Sequence, residues 1–159
     1  MKTFDRTRRR LLVICRDHKV RSDLVTLLTG YGYFVDYVED RHEGIAKFKQ
    51  HKQAVVIIDV PALPQFPESV FREFRVYSRN PIILIAAHKD EQRKVYPYLD
   101  EGAYDIIELP LKADYLHFRL RRLVAHSALE AVSEFRRFLI SALLFALPVW
   151  LALIRSFAR

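Results

Sequence analysis

VVIIDVPALP, residues 55–64, is the stretch on which the reading of this chain turns. Four consecutive apolar, β-branched residues end in one aspartate, and Pro61 and Pro64 then stop the strand. A run without polar alternation is a strand buried on both faces, which belongs to a parallel sheet covered by helices. In such sheets the ligand crevice lies beyond the carboxyl ends of the strands. Asp59 stands at that place, where an α/β protein would put a reactive carboxylate.

Working outward, LLVIC (11–15), YFVDYV (33–38), PIILIAA (81–87) and YDIIEL (104–109) repeat the pattern. Amphipathic stretches separate them. The first, 22–32, has Leu24, Leu27 and Leu28 on one face. Ser22 or Asp23 is its expected cap, and Gly30 or Gly32 its stop. The others are 42–51, 68–78 and 90–102, the last with Pro97 as an expected kink or break. From Ala113 onward the pattern is helical. Five βα units predict an α/β fold with a five-stranded, doubly wound parallel sheet. Beyond the strand ends would stand Cys15, Arg16 and Asp17, then Asp59, then Ala86 to His88, then Leu109 and Pro110.

Half of the residues are apolar (51%) and 28% are charged, a globular balance. One cysteine, Cys15, excludes an internal disulfide. No apolar run follows the basic start, so no secretory signal is expected. The net charge of +7 sits at the two ends, with a mildly acidic middle. A nucleic-acid-binding core should carry its basic residues on a folded face, so nucleic acid is not the expected partner. Basic ends fit an anionic surface such as membrane lipid. The lead-in, residues 1–10 with RTRRR, is either solvated or a contact to lipid or a partner.

The end of the chain differs in kind. Residues 138–154 carry no charge, and with 155–158 they approach the length of a membrane span. The stretch is built of Phe138, Leu139, Leu143, Leu144, Phe145, Leu147, Pro148, Trp150, Leu151 and Ile154. Arg136 and Arg137 flank it on one side, Arg155 and Arg159 on the other. Pro148 is tolerable in a membrane helix, and Trp150 suits an interface. The alternative is an apolar helix packed on a partner or a second copy. Residues 113–137 read as one helix, the last of the 11–125 domain extended as a stalk. Val124, Ala128, Ala131, Phe135 and Phe138 form a heptad-like seam that could make a homodimer contact. The other reading makes its first half the sheet's fifth covering helix.

Element order and local motifs resemble the receiver domain of two-component response regulators over residues 9–125. The carriers are LLVICRD, GYFV (32–35), EGI (43–45), VVIIDVPALP, PIILIAAH and EGAYDIIELPL (101–111). The resemblance implies a flavodoxin-like strand order, 2-1-3-4-5. It also implies a phosphoacceptor Asp, two acids for Mg²⁺, a Thr or Ser, a Lys and a switch aromatic. Asp59 matches the acceptor. The acids fall on Cys15 and Arg16, with Asp17 one residue away. The hydroxyl position falls on Ala86, the lysine on Leu109 and the aromatic on Ile106. A hard divalent cation needs carboxylate oxygens, and a carboxylate nucleophile needs its phosphoryl partner neutralised. The expected site is therefore degenerate, with no catalysis, metal or cofactor. Arg16 could pair with Asp59 in place of the missing cations. Otherwise Arg16 faces solvent and Asp59 caps the proline-rich loop.

Cys15 reads as a buried, inert strand-end thiol, or one activated by Arg16. The six histidines lack metal-ligand spacing, and His88 alone stands at a strand end. There is no glycine-rich phosphate loop and no nucleophile elbow. Pro61, Pro64 and Pro67 stiffen a loop that offers Leu63 and Phe66 as a docking surface, or tucks them under itself.

These readings lead to an expectation of a phosphorylation-independent interaction module without enzymatic activity or small-molecule substrate. It would be an accessory, assembly or regulatory subunit of a membrane protein complex. A single C-terminal span would hold it on the cytoplasmic face of a bacterial inner membrane. Two alternatives stand beside it. One is a soluble signalling scaffold whose last helix drives oligomerisation or docking. The other is an atypical response regulator still modified at Asp59.

Overall fold

The structure, a computed structural model, describes residues 9–51, 53–78 and 80–125. Five strands form one parallel sheet: β1 (Arg10–Ile14), β2 (Phe34–Val38), β3 (Val55–Asp59), β4 (Ile83–His88) and β5 (Asp105–Leu109). Their order is β2-β1-β3-β4-β5, as the resemblance implies. Helices α1 (His18–Gly30), α2 (Arg41–His51), α3 (Pro67–Arg75) and α4 (Gln92–Asp100) connect them. Residues 113–125 form α5.

The sheet divides the core in two. Alternate side chains of the inner strands, among them Leu11, Val13 and Ile57, pack on Leu24 and Leu28 of α1 and Leu116 and Leu120 of α5. The other set, with Leu12, Ile14 and Ile58, packs on Phe48, Phe71, Phe74 and Val95 of α2, α3 and α4. Every residue of β3 is buried, because neighbours and helices cover it on all sides. Each fully buried Leu, Ile or Phe contributes roughly 1.5–3 kcal/mol. Phe48 and Phe74 meet edge-to-face at 5.0 Å and 80°, an orientation that aromatic quadrupoles favour.

Local chemistry sets the element ends. Asp17, not Ser22 or Asp23, caps α1. Its Oδ1 accepts from the amides of Lys19 (2.8 Å) and Val20 (3.0 Å). The turn out of β1 is so short that the helix begins before either expected cap. Gly32 supplies the positive φ of +81° leading into β2. Helix α4 runs through Pro97 instead of breaking there. Proline removes one amide donor there, while Val95 and Tyr98 anchor the helix in the core.

Helix α5 covers the sheet, with Leu116, Leu120 and Leu123 buried. Val124 packs against the same core. Residues 113–125 thus cover the sheet; of the expected seam, Val124 is partly buried in that packing, and Ala128, Ala131, Phe135 and Phe138 lie outside the described residues. The remainder of the stalk, the apolar stretch 138–158, its flanking arginines and residues 1–8 lie outside the described residues. Among the described residues, no helix is long and apolar enough to cross a membrane.

At the amino ends of the strands, Arg10 grips Asp36 with Nε (2.6 Å) and Nη2 (2.9 Å), and Gln53 adds a 2.7 Å bond. Burial pushes the Asp36 carboxyl up, but these hydrogen bonds outweigh it and the net shift is downward. A depressed carboxyl stabilises the fold above its unfolded value and loses that contribution as pH falls through the folded one. Urea midpoints of Asp36→Asn should therefore fall less steeply than wild type as the pH drops below about 4.

Helix α2 approaches β1 through Gly44. A Cβ there would lie 2.4 Å from Ile14 Cδ1 and 2.8 Å from Ile14 Cγ1, and Ile14 is fully buried. Gly44→Ala should cost about 1–3 kcal/mol in denaturant unfolding. Combining it with Ile14→Val should recover part of that loss.

Candidate functional site

The crevice at the carboxyl ends of β1, β3 and β4 is built around Asp59. Its side chain is buried, with 3% of the residue exposed. Oδ2 accepts from the main-chain amides of Arg16 (2.8 Å) and Asp17 (3.2 Å). Oδ1 accepts from the amide of Ala62 (3.0 Å), which caps the 3-10 turn Val60–Ala62. One carboxylate thus joins the β1–α1 turn to the β3–α3 loop. The prolines serve this geometry, because Pro61 sits inside the capped turn, where no main-chain donor is needed.

Arg16 reaches Asp59 through its amide. Its side chain is exposed, and no ion pair joins it to Asp59 among the described residues. The turn at the end of β1 aims its N–H groups at Asp59, and Asp59 caps the 3-10 turn that opens the proline-rich loop.

Cys15 is fully buried, and its thiol donates to the carbonyl of Asp17 at 3.3 Å. Burial, then the hydrogen bond and charge of Asp59, push the thiol well above its ordinary value. That disfavours the thiolate, the form that attacks or ligates a metal. Asp17 is exposed and spends Oδ1 on the helix cap. The Val20 amide first, then Lys19 and the neighbouring His88, hold its carboxyl below the usual range against slight desolvation.

Ala86 pairs directly with Asp59 in the sheet and offers only a methyl group. Leu109 is buried in the core beneath α1 and α5. Ile106 is half-buried, and its carbonyl accepts from Arg119 at 3.0 Å. His88 is exposed at the end of β4, its amide donating to Glu91. The structure therefore brings Cys15, Arg16, Asp17, Asp59 and Ala86 together and leaves Leu109 in the core. On the loop, Leu63 packs partly under the chain, and Tyr98 donates to the Pro64 carbonyl. Phe66 stays 63% exposed. Of the two expected docking residues, only Phe66 presents itself.

Mg²⁺ is the ion that this fold family implies, and these donors do not suit it. Asp59 spends its oxygens on three amides, Cys15 is a buried thiol donating to a carbonyl and Asp17 is a helix cap. Among the described residues, no group of three or more His, Cys, Asp or Glu could hold a metal.

Arg21 was not singled out by sequence. It is a buried cation whose Nη1 donates to the Cys15 carbonyl at 2.8 Å and whose Nη2 meets Glu39 at 2.7 Å. Its one sequence signal is spacing, an arginine on the helix turn that follows the strand end.

No family model matches the chain. Curated proteins do. Regulatory protein VanRB of Enterococcus faecalis is 28% identical over 127 residues, covering 80% of this chain and 57% of the relative. The KDP operon transcriptional regulatory protein KdpE of Escherichia coli is 31% identical over 130 residues, covering 80% and 57%. The chain spans about half the length of the curated relatives it matches. Among solved structures, a response regulator receiver domain protein from Clostridium thermocellum superimposes with a TM-score of 0.66 at 20% identity, covering 76% of this chain and 97% of that one. NtrX from Brucella abortus gives 0.68 at 21%, covering 79% and 29%. The fold is that of the response-regulator receiver domain, and the sequence is similar to response regulators.

These relatives correct three expectations. A membrane-anchored accessory subunit is not what the chain resembles, since the matches are regulatory proteins and several are named as transcriptional regulators. Placement on an inner membrane loses its ground for the same reason. The expected exclusion of nucleic acid from its partners does too. Charge on the receiver portion alone does not report what process a regulator serves.

Asp59→Asn puts an NH₂ group against main-chain donors and leaves a buried amide unpaired. It should cost about 2 kcal/mol or more in urea unfolding, whereas exposed Asp90→Asn should stay within about 0.5 kcal/mol of wild type.

Proposed function

We propose that this chain is a signalling module of the response-regulator class whose receiver is a pseudo-receiver. Asp59 is a structural anchor in it, and signals pass by protein–protein contact instead of phosphoryl transfer. The observation that carries this reading is the hydrogen bonding of Asp59 to three main-chain amides. The groups around it are a buried thiol, an outward arginine and a methyl group. None of these would neutralise an incoming phosphoryl group, and a carboxylate does not attack one without such help. The process served, by likeness to the transcriptional regulators it resembles over 80% of its length, is control of transcription. Phe66, held out on the proline-stiffened loop beside the crevice, is the contact residue this reading favours.

The test exposes the full-length chain to acetyl phosphate, and separately to beryllofluoride, each with Mg²⁺. Intact mass should show no added phosphoryl group. The amide resonances of Arg16, Asp17 and Ala62 should not move. A phosphoryl adduct on Asp59, or shifts of those three amides, would establish the chain as a regulator still modified at Asp59.

A further inference from the structure

The crevice raises a question of support. The amides of Arg16 and Asp17 reach Asp59 only if the turn after β1 is held in one conformation. That turn contains no glycine or proline. Inside it the Cys15 thiol holds the Asp17 carbonyl, and Asp17 caps α1. Two further contacts tie it to the rest of the fold. The Cys15 amide donates to the Val38 carbonyl at 3.0 Å, tying the end of β1 to the end of β2. The Cys15 carbonyl accepts from Arg21.

Arg21 is 8% exposed. A buried guanidinium is costly unless its charge is paired and its donors are used. Here one branch of the fork holds the Cys15 carbonyl, and the other holds Glu39, the first residue after β2. The two ends of the pair differ sharply, since the side chain of Arg21 is 10% exposed and that of Glu39 is 70% exposed. The buried cation depends on a carboxylate that solvent and other molecules can reach.

We propose that Arg21 is the positioning residue for the crevice, and that the Arg21–Glu39 pair is a latch keeping the Arg16 and Asp17 amides on Asp59. This deepens the pseudo-receiver reading and rests on it. With the latch closed, the turn after β1 is fixed by Arg21 from below and by Asp59 from the side. Drawing Glu39 away leaves the guanidinium without its counter-charge. It then leaves the Cys15 carbonyl for water, and the turn opens. A bivalent fork is required, because the two acceptors belong to different loops and a single ammonium cannot hold both in fixed geometry.

Cys15 reports on the latch directly, since its fully buried thiol can be alkylated only when the turn opens. The experiment measures iodoacetamide alkylation of Cys15 in the native full-length chain, and amide hydrogen exchange at Arg16 and Asp17. The variants are Arg21→Met, Arg21→Lys and Glu39→Gln. Leu28→Ala, on the opposite end of α1, serves as a control for overall stability. Arg21→Met should alkylate about tenfold faster than a Leu28→Ala protein of equal or lower urea midpoint, with faster exchange at both amides. Arg21→Lys and Glu39→Gln should fall between Arg21→Met and wild type, and Glu39→Gln keeps the fold because its site is exposed. If alkylation follows the urea midpoint alike in Arg21→Met and Leu28→Ala, or if the two amides exchange at the wild-type rate, Arg21 only stabilises the fold and the latch is refuted. Because these readouts need no phosphoryl donor, the latch can fail while Asp59 stays unmodified, and the reverse.

Discussion

Strand β3 is buried along its whole length, Asp59 included, and much of the crevice follows from that constraint. A carboxylate cannot be left inside without hydrogen bonds. Among the described residues, Asp59 takes its donors from the main chain. The β1–α1 turn and the start of the β3–α3 loop are shaped to supply them. Burial first, and then this carboxylate, push the Cys15 thiol upward, and the capped 3-10 turn sets the course of the prolines that follow.

On the pseudo-receiver reading proposed above, Asp59 changes role. In a nucleophile the oxygens must be free to reach an electrophile. Here both oxygens terminate main-chain hydrogen bonds, two on one side and one on the other. The positions that would have supplied the hydroxyl and the lysine are occupied by groups that serve packing, Ala86 beside Asp59 and Leu109 in the core. A buried positive charge near the crevice belongs to Arg21, which holds the Cys15 carbonyl and pairs with Glu39. What remains is a fixed surface, with Phe66 displayed beside it.

Much of this was legible in the sequence. Continuous apolar runs gave five strands, because a strand buried on both faces has no room for polar alternation. The absence of acids, hydroxyl and lysine was readable position by position. The cap of α1 was not, since Ser22 and Asp23 have the right chemistry and only the tightness of the turn moves the start to His18. Nor was the continuity of α4 through Pro97, which depends on Val95 and Tyr98 finding the core. The membrane reading came from the apolar stretch 138–158 with its flanking arginines and from the basic ends of the chain, whereas the regulators that the chain resembles share the part that folds as a receiver.

The sequence by itself determined the sheet, its two-sided burial and the chemical poverty of the site, because these depend on residue type and period. Only the tertiary structure decided that Arg16 meets Asp59 with its amide and not its guanidinium, and that Arg21 is a buried cation. A side chain's chemistry is written in the sequence. The direction of a main-chain N–H is set by how distant segments pack, and at Asp59 that direction is what counts.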